Sequence, residues 1–129
     1  MNIKPNSLHH GDVNTLLHPY TDARKHEDQG PMIIDRGEGI YLWDTEGNQY
    51  IDGLAGLWSV GVGYNQPRLQ AAASAQMEKL PFYHIFAHKS HEPAIRLSEK
   101  LVEMTPENLT RVFFTSSGSE ANDTVIKLV

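Results

Sequence analysis

From Met32 to Gly53 the chain reads MIIDRGEGIYLWDTEGNQYIDG, and no other stretch limits its fold so strongly. IYLWD and QYID are short, rich in β-branched and aromatic residues, and joined by TEGN. The Glu-Gly-Asn connection supplies residues that accept positive φ, as a tight antiparallel hairpin requires. Met32 to Ile34 offers a third strand. The sequence therefore predicts a small antiparallel sheet.

Around that sheet the other segments differ in kind. Residues 1 to 30 are polar, rich in His, Asn, Asp and Gly, and read as an arm that needs another surface to order it. GLAGLWSVGVGYN, residues 53 to 65, is glycine-rich yet apolar, which predicts backbone packed closely against something such as a ligand or a partner. PRLQAAASAQMEKL predicts a helix that begins at Pro67, with Leu69, Ala73, Met77 and Leu80 on one face. A second helix is predicted from Pro93 to Met104, with Ile95, Leu97, Leu101, Val102 and Met104 as its apolar positions. RVFF, Arg111 to Phe114, predicts a buried strand leading into the small-residue turn TSSGSEAN. The last helix carries Ala121, Val125, Leu128 and Val129 on its apolar face and shows no stop signal, so it reads as cut rather than ended. This helix–strand–helix order belongs to an α/β architecture whose other parallel strands are missing.

At 129 residues the chain is long enough for one domain that buries about 65–70% of its unfolded surface. With 11 basic and 16 acidic residues its formal charge is −5, which gives no compositional reason to bind nucleic acid or an anionic membrane. It has no cysteine, which removes disulfides and thiolate metal sites and fits a cytoplasmic protein. No signal peptide and no run of transmembrane length is expected.

Ser117, Gly118 and Ser119 open the last helix. Gly118 lets backbone approach an anion, both serines offer hydroxyls, and the N–H groups at the helix start carry the positive end of its dipole. Ordinary helix capping would use the same residues, so the two readings stand side by side. The spacing excludes a Walker motif, a dinucleotide fingerprint and a G-x-S-x-G nucleophile elbow. His84, His88 and His91 would align on a helix and could bind zinc. Ile85 stands where a H-E-x-x-H site needs glutamate, and Pro81 and Pro93 crowd the segment, so polar packing is expected there and no metal site. Trp58 among glycines and Tyr20 in HPYTD read as core packing, or as the wall of a pocket or interface.

Taken together, HPYTD at 18 to 22, RGEGIYLWDTEGNQYIDGLAGLW at 36 to 58, LPFY at 80 to 83 and RVFFTSSGSEANDT at 111 to 124 resemble the start of a class III pyridoxal-phosphate-dependent aminotransferase. Some of these pieces are similar to the ω-amino acid:pyruvate and amine:pyruvate branch. The resemblance runs in order from about His18 to Val129. It implies an α/β chain, the N-terminal part of a fold-type I transferase. Residues 1–30 would form an arm, 31–65 the small sheet and pocket segment, and 66–129 the start of the cofactor-binding domain. It further implies that Ser117, Gly118 and Ser119 hold the 5′-phosphate of pyridoxal phosphate. Tyr20, Leu57 and Trp58 would line the substrate pocket, and Phe86 and Ala87 would reach across a homodimer interface. The partners implied are an amine or amino acid donor and a 2-oxo acid acceptor.

In that family a lysine holds the cofactor aldehyde as a Schiff base and moves the substrate proton. Lys4, Lys25, Lys79, Lys89, Lys100 and Lys127 are the six lysines here, and none has a matching context. The chain as given is therefore expected to be an inactive piece of an enzyme. The alternative expectation is a short non-enzymatic protein that binds a phosphate ligand or dimerises.

Overall fold

The computed structural model describes Lys4 and residues 6–129. The chain divides into two compact units, residues 1–74 and 75–129.

The first unit begins with two short helices, where the sequence predicted only a polar arm. Ser7 caps α1 (Leu8–Thr15) by accepting from the backbone N–H of His10, and Asp22 caps α2 (Ala23–Gln29) by accepting from that of Lys25. Each cap satisfies one of the donors that a helix start leaves unpaired. The two helices are joined through side chains. Asp12 of α1 lies 3.0 Å from His18 Nε2 and 2.8 Å from His26 Nε2, the latter in the last turn of α2.

The predicted sheet follows as β1 (Ile34–Glu38), β2 (Tyr41–Asp44) and β3 (Gln49–Ile51), antiparallel and in the order β1-β2-β3. Its first strand starts at Ile34 and runs to Glu38 instead of covering Met32 to Ile34, because the partners of β2 are Ile34 to Glu38. Arg36 pairs with Trp43, Gly37 with Leu42 and Glu38 with Tyr41, and the register shifts between Ile34 and Arg36. Arg36 also places its guanidinium 3.6 Å from the centre of the Trp43 ring. The β2–β3 turn uses Gly47 at φ +88°, as the TEGN spacing predicted. Asp44 ties that turn together, accepting from the backbone N–H of Glu46 and Asn48, the Asn48 side chain and the Tyr50 hydroxyl.

The glycine-rich segment holds one turn, α3 (Ala55–Trp58), and then returns to the sheet. There Gly39 and Tyr64 form a bridge, with paired hydrogen bonds of 2.8 and 3.1 Å. The first unit ends within α4 (Pro67–Lys79), which starts at Pro67 as predicted.

In the second unit α5 (Glu92–Met104) and α6 (Gly118–Leu128) match the predicted helices. RVFF does not form a strand. A strand is defined by a ladder, and among the described residues none runs beside it to complete one.

The expected core is also absent. No hydrophobic residue among the described ones is buried, and Leu69 and Met77 of α4 and Ile95, Leu97 and Met104 of α5 lie exposed on the faces the sequence marked as apolar. The chain exposes 11,408 Å². Two separate compact bodies of these sizes would together expose only about 8,300 Å². No helix is long and apolar enough to cross a membrane.

Candidate functional site

At the start of α6 a serine and a glutamate cap the helix together. Ser117, extended at φ −154° and ψ 162°, accepts from the Glu120 N–H at 3.2 Å. Glu120 reaches back and accepts from the Ser116 N–H at 2.8 Å. The two bonds satisfy the Glu120 and Ser116 N–H groups at the helix entrance, close to a capping box but with Glu120 reaching one residue before the N-cap. It leaves the N–H groups of Gly118 and Ser119 without an acceptor among the described residues. Beyond its chain neighbours and the backbone of its own helix, no atom lies within 4 Å of where a Cβ on Gly118 would sit. Two free N–H groups, the hydroxyl of Ser119 and open space over Gly118 suit an anion at the positive end of the helix dipole. Capping and an anion would use different donors, so the cap does not compete with the anion reading.

The second feature is α3, which is left-handed. Ala55, Gly56, Leu57 and Trp58 have φ of 49°, 59°, 59° and 68°. Only Gly56 accepts that conformation freely. Each of the other three costs roughly 1–2 kcal/mol relative to right-handed backbone. The opposing interactions converge on Asp52. Its carboxylate accepts from the Leu54 N–H at 3.0 Å, the Gly56 N–H at 2.7 Å and the Tyr64 hydroxyl at 2.6 Å. The Tyr64 hydrogen bond, followed by the backbone N–H groups, holds Asp52 below its usual carboxylate range, and the same bond pushes the Tyr64 phenol up. Two glycines make room for this tyrosine. A Cβ on Gly37 would come within 2.6 Å of the Tyr64 ring, and one on Gly56 within 3.0 Å of its hydroxyl oxygen. The predicted close packing of this segment is thus packing against the chain's own Tyr64, Val60 and Gly39. A cavity of about 330 Å³ lies alongside, lined by Ile40, Asp52, Ala55, Val60 and Tyr64 among others.

Leu57 and Trp58 ride on this turn with 65% and 84% of their surface exposed. Core packing, one of the two readings for Trp58, is therefore not what the structure has. Tyr20 is likewise fully exposed, at φ +51° in the turn before α2. In the second unit Phe86 is exposed and Ala87 takes a positive φ of 52°. His84 stacks on Tyr83 and Phe86, with ring centres 4.6 and 5.8 Å away. Phe86 lines an open cleft of about 630 Å³ with Phe82, Leu97, Phe114 and Ser116, the last adjoining the α6 cap.

His84, His88 and His91 do not bring three ligand atoms together; among the described residues only Asp12, His18 and His26 form such a trio. Burial raises the Asp12 carboxyl, but the hydrogen bonds from His26 and His18 outweigh it and hold the group below its ordinary value. An ionised carboxylate only accepts, so both Nε2 atoms carry protons directed at Asp12. Asp52, Tyr64 and the Asp12 trio escaped the sequence reading. For Asp52, and for the Asp12–His18 pair, the signal was an aspartate a few residues from the backbone or histidine donor it binds; His26 lies fourteen residues from Asp12 and gave none. For Tyr64 there was none, since its partner lies twelve residues away.

Residues 22–129 match the profile described as Aminotransferase class-III. The chain is 47% identical over 113 residues to the putrescine–pyruvate aminotransferase of Pseudomonas aeruginosa, covering 88% of this chain and 25% of that protein. It is 47% identical over 117 residues to the probable mitochondrial γ-aminobutyrate transaminase 2 of Oryza sativa subsp. indica, covering 90% and 24%. The ω-transaminase of Pseudomonas jessenii, solved in complex with PMP, superposes with a TM-score of 0.89 at 56% identity, over 95% of this chain and 27% of that one. The chain thus spans about a quarter of the length of the curated relatives it matches. Its fold is that of the N-terminal part of these fold-type I enzymes.

Proposed function

The chain belongs to the class-III aminotransferases, and from that premise we propose that it supplies part of a pyridoxal-phosphate-dependent transaminase. The enzyme would move an amino group from an amine or ω-amino acid to pyruvate or a similar 2-oxo acid. The observation that carries this reading is the pair of unpaired N–H groups at Gly118 and Ser119, open above and set beside a satisfied cap. Gly118 and Ser119 would hold the cofactor phosphate, with Ser119 adding its hydroxyl and Ser117 keeping a hydroxyl proton to donate. When bound, pyridoxal phosphate supplies an aldehyde for the amine nitrogen and a ring that takes up electrons as the substrate carbon loses its proton.

The chain's own residues would then bind and orient. Leu57, Trp58 and Tyr20 would form an apolar wall that seats the donor and excludes water, and Phe86 and Ala87 would contribute across a homodimer interface. The putrescine–pyruvate relative supports an amine donor with pyruvate as acceptor. A related transaminase with a tryptophan replaced by glycine, engineered for asymmetric synthesis of enantiopure bulky amines, supports a tryptophan that limits donor size. Proton transfer would need a lysine outside these residues. Lys79, Lys100 and Lys127 are paired with Glu92, Glu103 and Asp123 on helix surfaces.

Gly118→Ala provides the test. Its Cβ meets nothing in the protein, so folding should be retained, but it intrudes where the phosphate would sit. Titration of the enzyme of which this chain would supply part with pyridoxal phosphate should show affinity reduced by about 10- to 100-fold, the loss expected for hydrogen bonds to a charged group. Unchanged affinity would remove the phosphate reading.

A further inference from the structure

We propose that Asp52 and Tyr64 are positioning residues for the donor wall: together they lock the left-handed turn that presents Leu57 and Trp58, and so set amine affinity without touching the amine. This rests on the proposed pocket role of Trp58.

The geometry assigns the two residues separate tasks. Asp52 is fixed to the sheet by its own backbone, whose N–H donates to Ile40 O at 2.9 Å. Its carboxylate then takes the two N–H groups, Leu54 and Gly56, that lead into the turn. Tyr64 is fixed from the other side by its bridge to Gly39 and by its ring, seated on Gly37 where no Cβ can stand. Its hydroxyl meets the same carboxylate oxygen as the Gly56 N–H. Besides its own backbone bonds from Trp58, Ser59 and Val60, the turn is therefore tied through a single carboxylate to the β1–β2 connection, at Ile40 through Asp52 and at Gly39 through Tyr64. Three of its four residues, Ala55, Leu57 and Trp58, would relax to negative φ without that restraint. A change in the sign of φ at Leu57 and Trp58 redirects both side chains, since Cβ direction follows the backbone. No other side chain among the described residues donates to or accepts from the backbone of residues 54 to 58 except Ser59, whose hydroxyl lies 3.4 Å from Leu57 O.

The experiment compares Asp52→Asn, Tyr64→Phe and Trp58→Ala in the pyridoxal-phosphate-loaded enzyme of which this chain would supply part, its lysine included. Tyr64→Phe keeps the ring on Gly37 and loses only the hydroxyl, so it remains informative if Asp52→Asn does not fold. Amide hydrogen exchange over residues 53–60 should quicken about tenfold in both clamp variants, the loss of one hydrogen bond to a carboxylate. With putrescine and benzylamine as donors and pyruvate as acceptor, donor KM should rise about tenfold while kcat stays within about twofold, because the reacting groups are untouched. Adding Ala55→Gly to Tyr64→Phe should recover part of the lost KM, since glycine adopts positive φ without penalty. A merely structural defect would be worsened by the added glycine. Unchanged exchange in both clamp variants overturns the proposal. So does quickened exchange with an unchanged donor KM in an enzyme where Trp58→Ala raises it. A donor KM indifferent to Trp58→Ala would instead remove the pocket reading beneath it, and that result is read from a different variant.

Discussion

Asp44 is the one buried side chain among the described residues, 8% exposed, and its surroundings account for its charge. The Asn48 side chain, the Tyr50 hydroxyl and two backbone N–H groups donate to it, and they hold its carboxyl at about 2 against an ordinary 3.8, over the opposing effect of burial. The folded value is the depressed one, so its contribution to stability is complete above the ordinary value and is lost as pH falls towards 2. Asn at this position offers one acceptor oxygen in place of two. Asp44→Asn should therefore speed amide exchange across residues 44–51 and flatten its acid dependence between pH 4 and 2, both measurable by exchange at stepped pH. Tyr50 gains the converse stabilisation: its phenol is raised chiefly by the Asp44 hydrogen bond. That part of the cage is present below the ordinary tyrosine range and lost only when pH rises past it.

At the scale of elements, sequence and structure agree wherever local chemistry suffices. The β2–β3 turn needed positive φ at one position, and Gly47 provides it. The α4 and α5 helices begin with proline in the first turn and follow their apolar spacing. The two arm helices were not legible, because α1 and α2 span eight and seven residues and show little periodicity. Helices that short are marginal in water, so their caps and the Asp12 trio carry the burden. Asp12→Asn should open both, seen as faster proteolysis of residues 7–30 with the sheet unaffected. In the parent chain the same opening should occur as pH falls through the lowered Asp12 value, since a depressed carboxyl contributes only while ionised. RVFF failed as a strand for the opposite reason: its apolar run is sound, but a ladder needs a neighbour.

At the scale of the molecule, the exposed faces of α4, α5 and α6 are surfaces with a partner to find. Val125, Ile126 and Leu128 of α6 lie uncovered, as do Phe113 shortly before α6 and Phe82 shortly after α4. Relatives in the family are about four times as long as this chain, which fits apolar faces covered by further protein. The 129-residue polypeptide produced alone should bind a hydrophobic dye strongly and unfold without a sharp transition, as chains lacking fixed core packing do. A cooperative calorimetric transition and no dye binding would contradict this.

The amino-acid sequence alone determined what depends on near neighbours: the hairpin, the helix starts, the small-residue turn, and through four ordered motifs the family. Tertiary structure alone decided the hand of the turn at Ala55–Trp58. Local preference there opposes positive φ at three of four positions. The observed backbone goes with Tyr64, twelve residues beyond Asp52, which seats its ring on Gly37 and closes a hydrogen bond onto the same carboxylate. No local pattern encodes a contact of that range; it exists only once the sheet has brought Gly37, Gly39 and Asp52 to one edge.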